Sequence, residues 1–292
     1  MNIIFIVGPT ASGKTGLAID LAIKINAEII CADSRTIYRG LEIATAVPTI
    51  EERRGVRHHL LGILDAGEVY SSAQFVEDSL DIIRDLERNN KNAIIVGGSG
   101  NYISSLYYEY SFRKKIRNLK STTKEDLIRD IYDLYGDIEL TSDDLGNKRR
   151  LEKMYTHGLS QTTKQLRFNS SVIIGLNPDL NSVHQKNDVS LPLVKERIAQ
   201  RFEEMLKLGV IEEVKKMSFK PKAGNLIPFT TTARVCGQFL REEFSIDKLR
   251  ELVINENYKL ARKQLTYFKT NKNILWFDNP KKAEQYILDS IN

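Results

Sequence analysis

Apolar residues in the first hundred positions come in short unbroken runs, separated by stretches at helical spacing. The runs are Ile3-Ile4-Phe5-Ile6-Val7, Glu28-Ile29-Ile30-Cys31-Ala32 and Ala93-Ile94-Ile95-Val96. Runs of this length, without polar alternation, predict strands buried on both faces. Between them Leu17, Ala18, Leu21, Ala22 and Ile25 recur every three to four residues, as do Phe75, Ser79, Ile82, Ile83 and Leu86 within 72–86. Strands alternating with amphipathic helices predict an α/β fold, a parallel sheet with helices on both faces. Ligands of such sheets lie at the carboxyl ends of the strands. The three runs end at Gly8, Asp33 and Gly97, so these positions are expected to converge on one site.

Beyond about Ser111 charged helical segments appear, such as 124–135, broken by Gly136 and Gly146. Ile173-Ile174-Gly175-Leu176 reads as a return strand, and Val194, Ile198, Phe202, Met205 and Leu206 form a helical stripe. Gly209 ends that helix and Val210, Val214 and Met217 begin another. A last long helix is expected over 245–270, with Leu249, Val253, Leu260, Ala261, Leu265 and Phe268 on one side. Lys259, Arg262, Lys263 and Lys269 fall opposite. The organisation expected is a core of 1–111 and 171–292, interrupted by a mostly helical insertion at 112–170.

Composition narrows the class. Hydrophobic residues are 41% of the chain and charged residues 28%, as in a soluble globular protein. No apolar run is long enough to span a membrane, and Cys31 and Cys236 make no disulfide framework or metal-ligand cluster. A cytoplasmic monomer is expected. The net charge of +5 is mild, but residues 111–170 hold 13 basic and 9 acidic side chains. That local excess suits a polyanion, or an ordinary solvated surface.

The chemistry begins where the first strand ends. Gly8-Pro9-Thr10-Ala11-Ser12-Gly13-Lys14-Thr15 is a complete phosphate-binding loop between a strand and a helix. Its backbone N–H groups and the helix N-terminus attract an anion. Lys14 supplies a point charge, and the Thr15 hydroxyl is a candidate ligand for Mg²⁺. The loop specifies a polyphosphate without saying which.

Three further clusters follow: 33–40 (Asp-Ser-Arg-Thr-Ile-Tyr-Arg-Gly), 55–60 (Gly-Val-Arg-His-His-Leu) and 97–102 (Gly-Gly-Ser-Gly-Asn-Tyr). With the phosphate loop, the 174–178 segment, the 197–217 helical block and 260–269 (Leu-Ala-Arg-Lys-Gln-Leu-Thr-Tyr-Phe-Lys), they resemble the tRNA dimethylallyltransferases over nearly the whole chain. The resemblance implies a P-loop NTPase-like fold. It also implies transfer of a dimethylallyl group from its diphosphate to N6 of the adenosine next to the anticodon of tRNA, with Mg²⁺. The loop would then hold the donor's diphosphate.

Asp33 is the expected general base for the amine proton, or else a carboxylate organising Mg²⁺. Ser99 is expected to contact substrate or to serve as a turn residue, and Arg234 to bind diphosphate through its guanidinium. The tRNA-facing residues expected are Asp33, Ser34, Arg35, Thr36, Lys148, Arg149, Arg262, Lys263 and Gln264. His58 and His59 read as hydrogen-bonded loop residues and Trp276 as packing. The chain departs from the family at Thr36, Ala44, Val47 and Asn101, where Gln, Gly, Lys and Leu are usual. Thr36 cannot make the two-pronged adenine contact open to Gln. Competing readings are a prenyltransferase acting on free adenine nucleotides, a small-molecule kinase and a non-catalytic nucleotide-dependent RNA-binding switch.

Overall fold

The computed structural model describes residues 1–65, 68–109, 123–136, 140, 142–157, 165–180, 190–218, 230–241 and 244–291. Its elements in chain order are β1 (Ile3–Val7), α1 (Lys14–Lys24), β2 (Ala27–Cys31), α2 (Ile50–Arg53), β3 (His58–His59), α3 (Ser72–Arg88), β4 (Asn92–Gly97) and α4 (Gly100–Tyr107). Then come α5 (Lys124–Tyr135), α6 (Ser142–Gly146), α7 (Lys148–His157), β5 (Val172–Leu176), α8 (Pro192–Lys207), α9 (Val210–Ser218), α10 (Thr231–Phe239), α11 (Ile246–Lys269), β6 (Leu275–Phe277) and α12 (Pro280–Ile291).

The six strands form one sheet in the order β3-β2-β4-β1-β5-β6, and every neighbouring pair is parallel. Alternate residues go to opposite faces. Ile4, Ile6, Ile29, Ile94, Val96, Ile174 and Leu176 pack with α1 and with Ala283 and Ile287 of α12. On the other face Phe5 meets Tyr107 of α4 edge-on at 5.2 Å, and Phe75 of α3 stacks on Tyr102 at 4.4 Å. Both faces are therefore covered, which is why β1, β2 and β4 read as unbroken apolar runs. Each fully buried large side chain contributes about 1.5–3 kcal/mol.

The chain divides into two units, 1–107 with 168–292, and 108–167. The second is closed by an antiparallel bridge between Tyr108 and Leu166. Leu127, Ile131, Leu151 and Tyr155, from α5 and α7, form its apolar cluster. It begins and ends a few residues earlier than the 112–170 read from the sequence. Among the described residues no helix is long and apolar enough to cross a membrane.

At the amino-terminal edge of the sheet Glu28 of β2 is buried. Its carboxylate accepts a bond from Lys91 Nζ at 2.6 Å and lies 2.6 Å from His59 Nε2 on β3. Burial pushes its pKa up, but the bonds to Lys91 and His59 outweigh this and hold it below the ordinary 4.5. A depressed folded value adds stability above the unfolded pKa and loses it as pH falls through the folded one. Glu28→Gln is therefore expected to flatten the acid arm of the stability curve. Urea midpoints from pH 7 to pH 3 should fall more steeply for the wild type than for Glu28→Gln.

Candidate active site

β1 enters its loop through Gly8 at φ 144°, where a Cβ would lie 2.3 Å from the Leu176 carbonyl oxygen at the end of β5. Only glycine lets the loop turn this close to the neighbouring strand. Gly13, at φ 96°, is the N-cap of α1, and no side chain caps that helix. Its first turn is thus left to an anion. Lys14 Nζ donates to Pro9 O at 2.5 Å. Burial, with the positive charge of Arg201 added, lowers Lys14 to about 7, against the pull of Asp33.

The loop borders a cavity of about 820 Å³ at the carboxyl ends of the strands. Lys14, Thr15, Asp33, Thr36 and Gly97 all line it, so the expected convergence of the three strand ends is present. Ile43, Val47, Pro48, Leu61 and Met205 give it an apolar wall. The backbone of that wall is pinned by Glu213 of α9, whose carboxylate accepts from Ile43 N and Ala44 N, each at 2.8 Å. Burial raises the pKa of Asp33; the N–H of Arg35, 2.9 Å from Oδ1, and the charge of Lys14 oppose the rise. Ser99 Oγ accepts from Ser34 N at 2.9 Å, so Ser99 holds the loop that follows Asp33.

Two helices from the second half of the chain complete the site. The Asp179 carboxylate takes the N–H groups of Leu193 and Val194 at 2.9 and 3.0 Å, fixing the N-terminus of α8 next to the end of β5. α8 then carries Arg197, whose Nη1 donates to Ser12 O at 3.3 Å, and Arg201, which lines the cavity. Sequence reasoning gave Arg201 no role. A signal was available, since 201 falls in the middle of the Val194, Ile198, Phe202, Met205 stripe, an unusual place for a charge.

Gln264, expected beside Arg262 and Lys263 on the tRNA side, faces inward from α11. It accepts from Thr10 N at 2.8 Å and donates to Gly98 O at 3.2 Å. A Cβ at Gly98 would lie 2.3 Å from its Nε2, and one at Gly100 2.3 Å from the Tyr267 ring. The glycines after β4 therefore make room for α11. Arg262, Lys263 and Lys269 are exposed on the outer side, and Lys259 pairs with Glu256 at 2.7 Å. Arg234 is exposed on α10, pairs with the same Glu256 at 2.8 Å, and is not among the cavity's lining residues. Lys148 is exposed at the start of α7 in the second unit, and the side chain of Arg149 lies outside the described residues.

A family model described as IPP transferase matches residues 36–271. The chain belongs to the IPP transferase family. It is 31% identical over 310 residues to the tRNA dimethylallyltransferase of Carboxydothermus hydrogenoformans, covering 99% of this chain and 96% of the relative. It is 34% identical over 274 residues to that of Aster yellows witches'-broom phytoplasma, covering 92% and 89%. The fold is shared with the tRNA isopentenylpyrophosphate transferase of Bacillus halodurans: TM-score 0.72, 24% identity, 99% of this chain and 96% of that one covered.

In this IPP transferase the bond from Thr10 to Gln264 joins the first strand's loop to the last long helix, 254 residues apart. Removing it leaves the Thr10 N–H and the Gly98 carbonyl without that partner. Gln264→Ala is expected to cost about 1–3 kcal/mol and to raise the KM for the diphosphate donor. Urea denaturation together with donor titration checks both; unchanged values for both would show that the loop holds its shape without α11.

Proposed function

We propose that the chain transfers a dimethylallyl group from dimethylallyl diphosphate to N6 of the adenosine 3′-adjacent to the anticodon of tRNA. The observation that carries this reading is the cavity itself. It joins a diphosphate-binding loop, an apolar wall and a carboxylate of raised pKa, in a chain of the IPP transferase family. The chemistry follows from these parts. The allylic C1–O bond breaks and its electron pair leaves with the diphosphate. The N6 amine forms the new C–N bond and gives up a proton. Lys14 and the loop amides neutralise the leaving group. Asp33, desolvated and so more basic than an ordinary aspartate, takes the proton.

Thr15 and Asp33 both border the cavity, and among the described residues no cluster of three His, Cys, Asp or Glu could hold a metal. That sparse, hard-oxygen donor set fits Mg²⁺, which keeps waters and is held largely by substrate phosphates. Thr15 would hold it, and the ion would supply further neutralisation of the diphosphate. Ser99 would act by holding the loop after Asp33. Arg234 would reach the diphosphate only on leaving Glu256. Ser34, Arg35 and Thr36 would meet the extruded base. Lys148 and Arg149 on the insertion, and Arg262 and Lys263 on α11, would meet the tRNA backbone. Cys31 and Cys236 are free thiols, which supports a reducing, cytoplasmic setting.

Incubation with dimethylallyl diphosphate, Mg²⁺ and unmodified tRNA, followed by nucleoside mass analysis, tests the reaction. Prenylation of AMP or ATP in place of tRNA would give the activity to free nucleotides instead. Lys14→Ala and Thr15→Ala are expected to abolish transfer at subsaturating donor. Asp33→Asn should still bind both substrates and lose ~10²–10⁴-fold in turnover. It should also lose the acid limb of the rate profile, because a base of raised pKa is protonated first as pH falls. A shift mainly in the Mg²⁺ requirement would make Asp33 a metal organiser.

The exposed cations of α11 give a separate expectation. A cation that binds an RNA phosphate releases counterions, so each such cation removed should lower the salt slope of tRNA affinity by roughly one unit. Lys259/Arg262/Lys263→Ala is expected to weaken tRNA binding and flatten this slope while leaving donor binding unchanged. Identical slopes and affinities in a salt titration would put the RNA surface elsewhere.

A further inference from the structure

We propose that Glu213 of α9 is a positioning residue for the transfer. By holding the peptide units of Ile43 and Ala44 it sets the apolar wall of the cavity close enough to keep water from the allyl group. The assignment rests on the reaction proposed above and adds to it a residue from outside the cavity.

The wall is a short stretch of irregular chain. Ile43, Thr45, Ala46, Val47 and Pro48 border the cavity. Local bonds tie this stretch to itself. Thr45 donates to Leu41 O through N at 3.0 Å and through Oγ1 at 2.7 Å. Ala46 N donates to Ile43 O at 3.0 Å, and Val47 N to Glu42 O at 2.9 Å. Such bonds fix the shape of the loop but not its place. Place comes from α9. Leu41 and Ala44 share a buried apolar cluster with Val210, Val214 and Met217. Apolar packing is non-directional and lets a loop slide. Glu213 is the directional contact, accepting from Ile43 N and Ala44 N, each at 2.8 Å. Two charge-assisted bonds to consecutive N–H groups fix both the position and the rotation of the peptide between them.

The chain keeps a costly group there. Burial raises the pKa of Glu213; the two N–H bonds oppose the rise, and the nearby carboxylate of Glu42 adds to it. No residue of α9 is among those lining the cavity, so Glu213 can act on the chemistry only through the loop. The chemistry gives the wall its task. When the allylic C1–O bond breaks, the electron pair leaves with the diphosphate and C1 becomes electron-poor. Attack by the N6 amine gives the prenylated base. Attack by water forms a C–O bond instead, loses one proton to solvent and yields dimethylallyl alcohol. A wall held against the allyl group excludes the water and leaves the amine as the neighbour of C1.

The test compares wild type, Glu213→Gln and Glu213→Asp. Gln keeps the size of Glu but offers one acceptor oxygen where Glu offers two. The measurements are amide hydrogen exchange at Ile43 and Ala44, steady-state transfer, dimethylallyl alcohol released per tRNA prenylated, calorimetric affinity for inorganic diphosphate, and thermal midpoints. In Glu213→Gln the two amides are expected to exchange at least about tenfold faster. The ratio of alcohol to prenylated tRNA should rise at least about tenfold, and kcat should fall by about 10–10²-fold. Affinity for inorganic diphosphate should not change, because the phosphate loop is untouched. Glu213→Asp, one methylene shorter, should fall between the two. A lowered thermal midpoint with a wild-type ratio and kcat would make Glu213 a loop anchor only and overturn the proposal. If Glu213→Gln does not fold, Glu213→Asp decides: a raised ratio supports the assignment and a wild-type ratio overturns it. Wild type that prenylates no acceptor sinks the reaction. Unchanged exchange at Ile43 and Ala44 in Glu213→Gln sinks the positioning, whatever the reaction.

Discussion

The site depends on holding Lys14 near Arg201 in one cavity at the strand ends, with Asp33 acting on Lys14 and with Glu204 and Glu52 acting on Arg201. Burial pushes both basic groups toward neutrality; the charge of Arg201 adds to this at Lys14 while Asp33 opposes it, and at Arg201 the carboxylates of Glu204 and Glu52 oppose it. Such an arrangement persists only where a rigid frame imposes it. The frame is the parallel sheet, whose strand ends bring the phosphate loop, Asp33 and Gly97 to one mouth. An anion that enters relieves the repulsion.

The frame is completed from far along the chain. β1 and β4 supply the loops, but α8 and α11 hold them. Asp179 fixes α8, and Gln264 on α11 takes the Thr10 N–H and gives a bond to Gly98. α11 therefore has two working faces. Its inner face positions the phosphate loop, and its outer face carries Arg262 and Lys263 toward solvent. A polyanion docking on the outer face would lie on the same rigid helix that shapes the donor site.

Much of this was legible in the sequence, and the rest was hidden for identifiable reasons. The runs at 3–7, 28–32, 93–96 and 173–176 gave four strands within a residue or so, since burial on both faces leaves an unmistakable apolar block. β3 and β6 have two and three residues. Segments so short carry no periodicity and gain their pairing only from the neighbouring strand. The phosphate loop and Asp33 were readable because their chemistry needs fixed residue types at fixed spacing. Gln264 adjoins Arg262 and Lys263 in sequence and so reads with them, although helical spacing puts it on the side of Ala261 and Leu265. Arg201 is hidden for the opposite reason: the apolar stripe around it reads as packing, which masks the charge within it. Both cases turn on which helix face a polar residue occupies, a property the sequence does hold.

The same loop serves phosphoryl transfer in many proteins, so the loop cannot by itself decide between moving a phosphoryl group and moving an alkyl group. What differs is the rest of the cavity. Phosphoryl transfer develops charge on the γ-phosphoryl oxygens and asks for polar groups around them. Allyl transfer leaves a diphosphate behind and develops positive charge on a small hydrocarbon, which needs an apolar, water-poor wall and a base for the incoming amine. Ile43, Val47, Pro48 and Met205 give such a wall. Val47 stands where the family more often has Lys, which makes this wall more apolar than the family pattern. Glu213 pins its backbone rather than projecting charge into the cavity. Asp33 lines the cavity beside the phosphate loop, where the proposed transfer needs a base for the incoming amine.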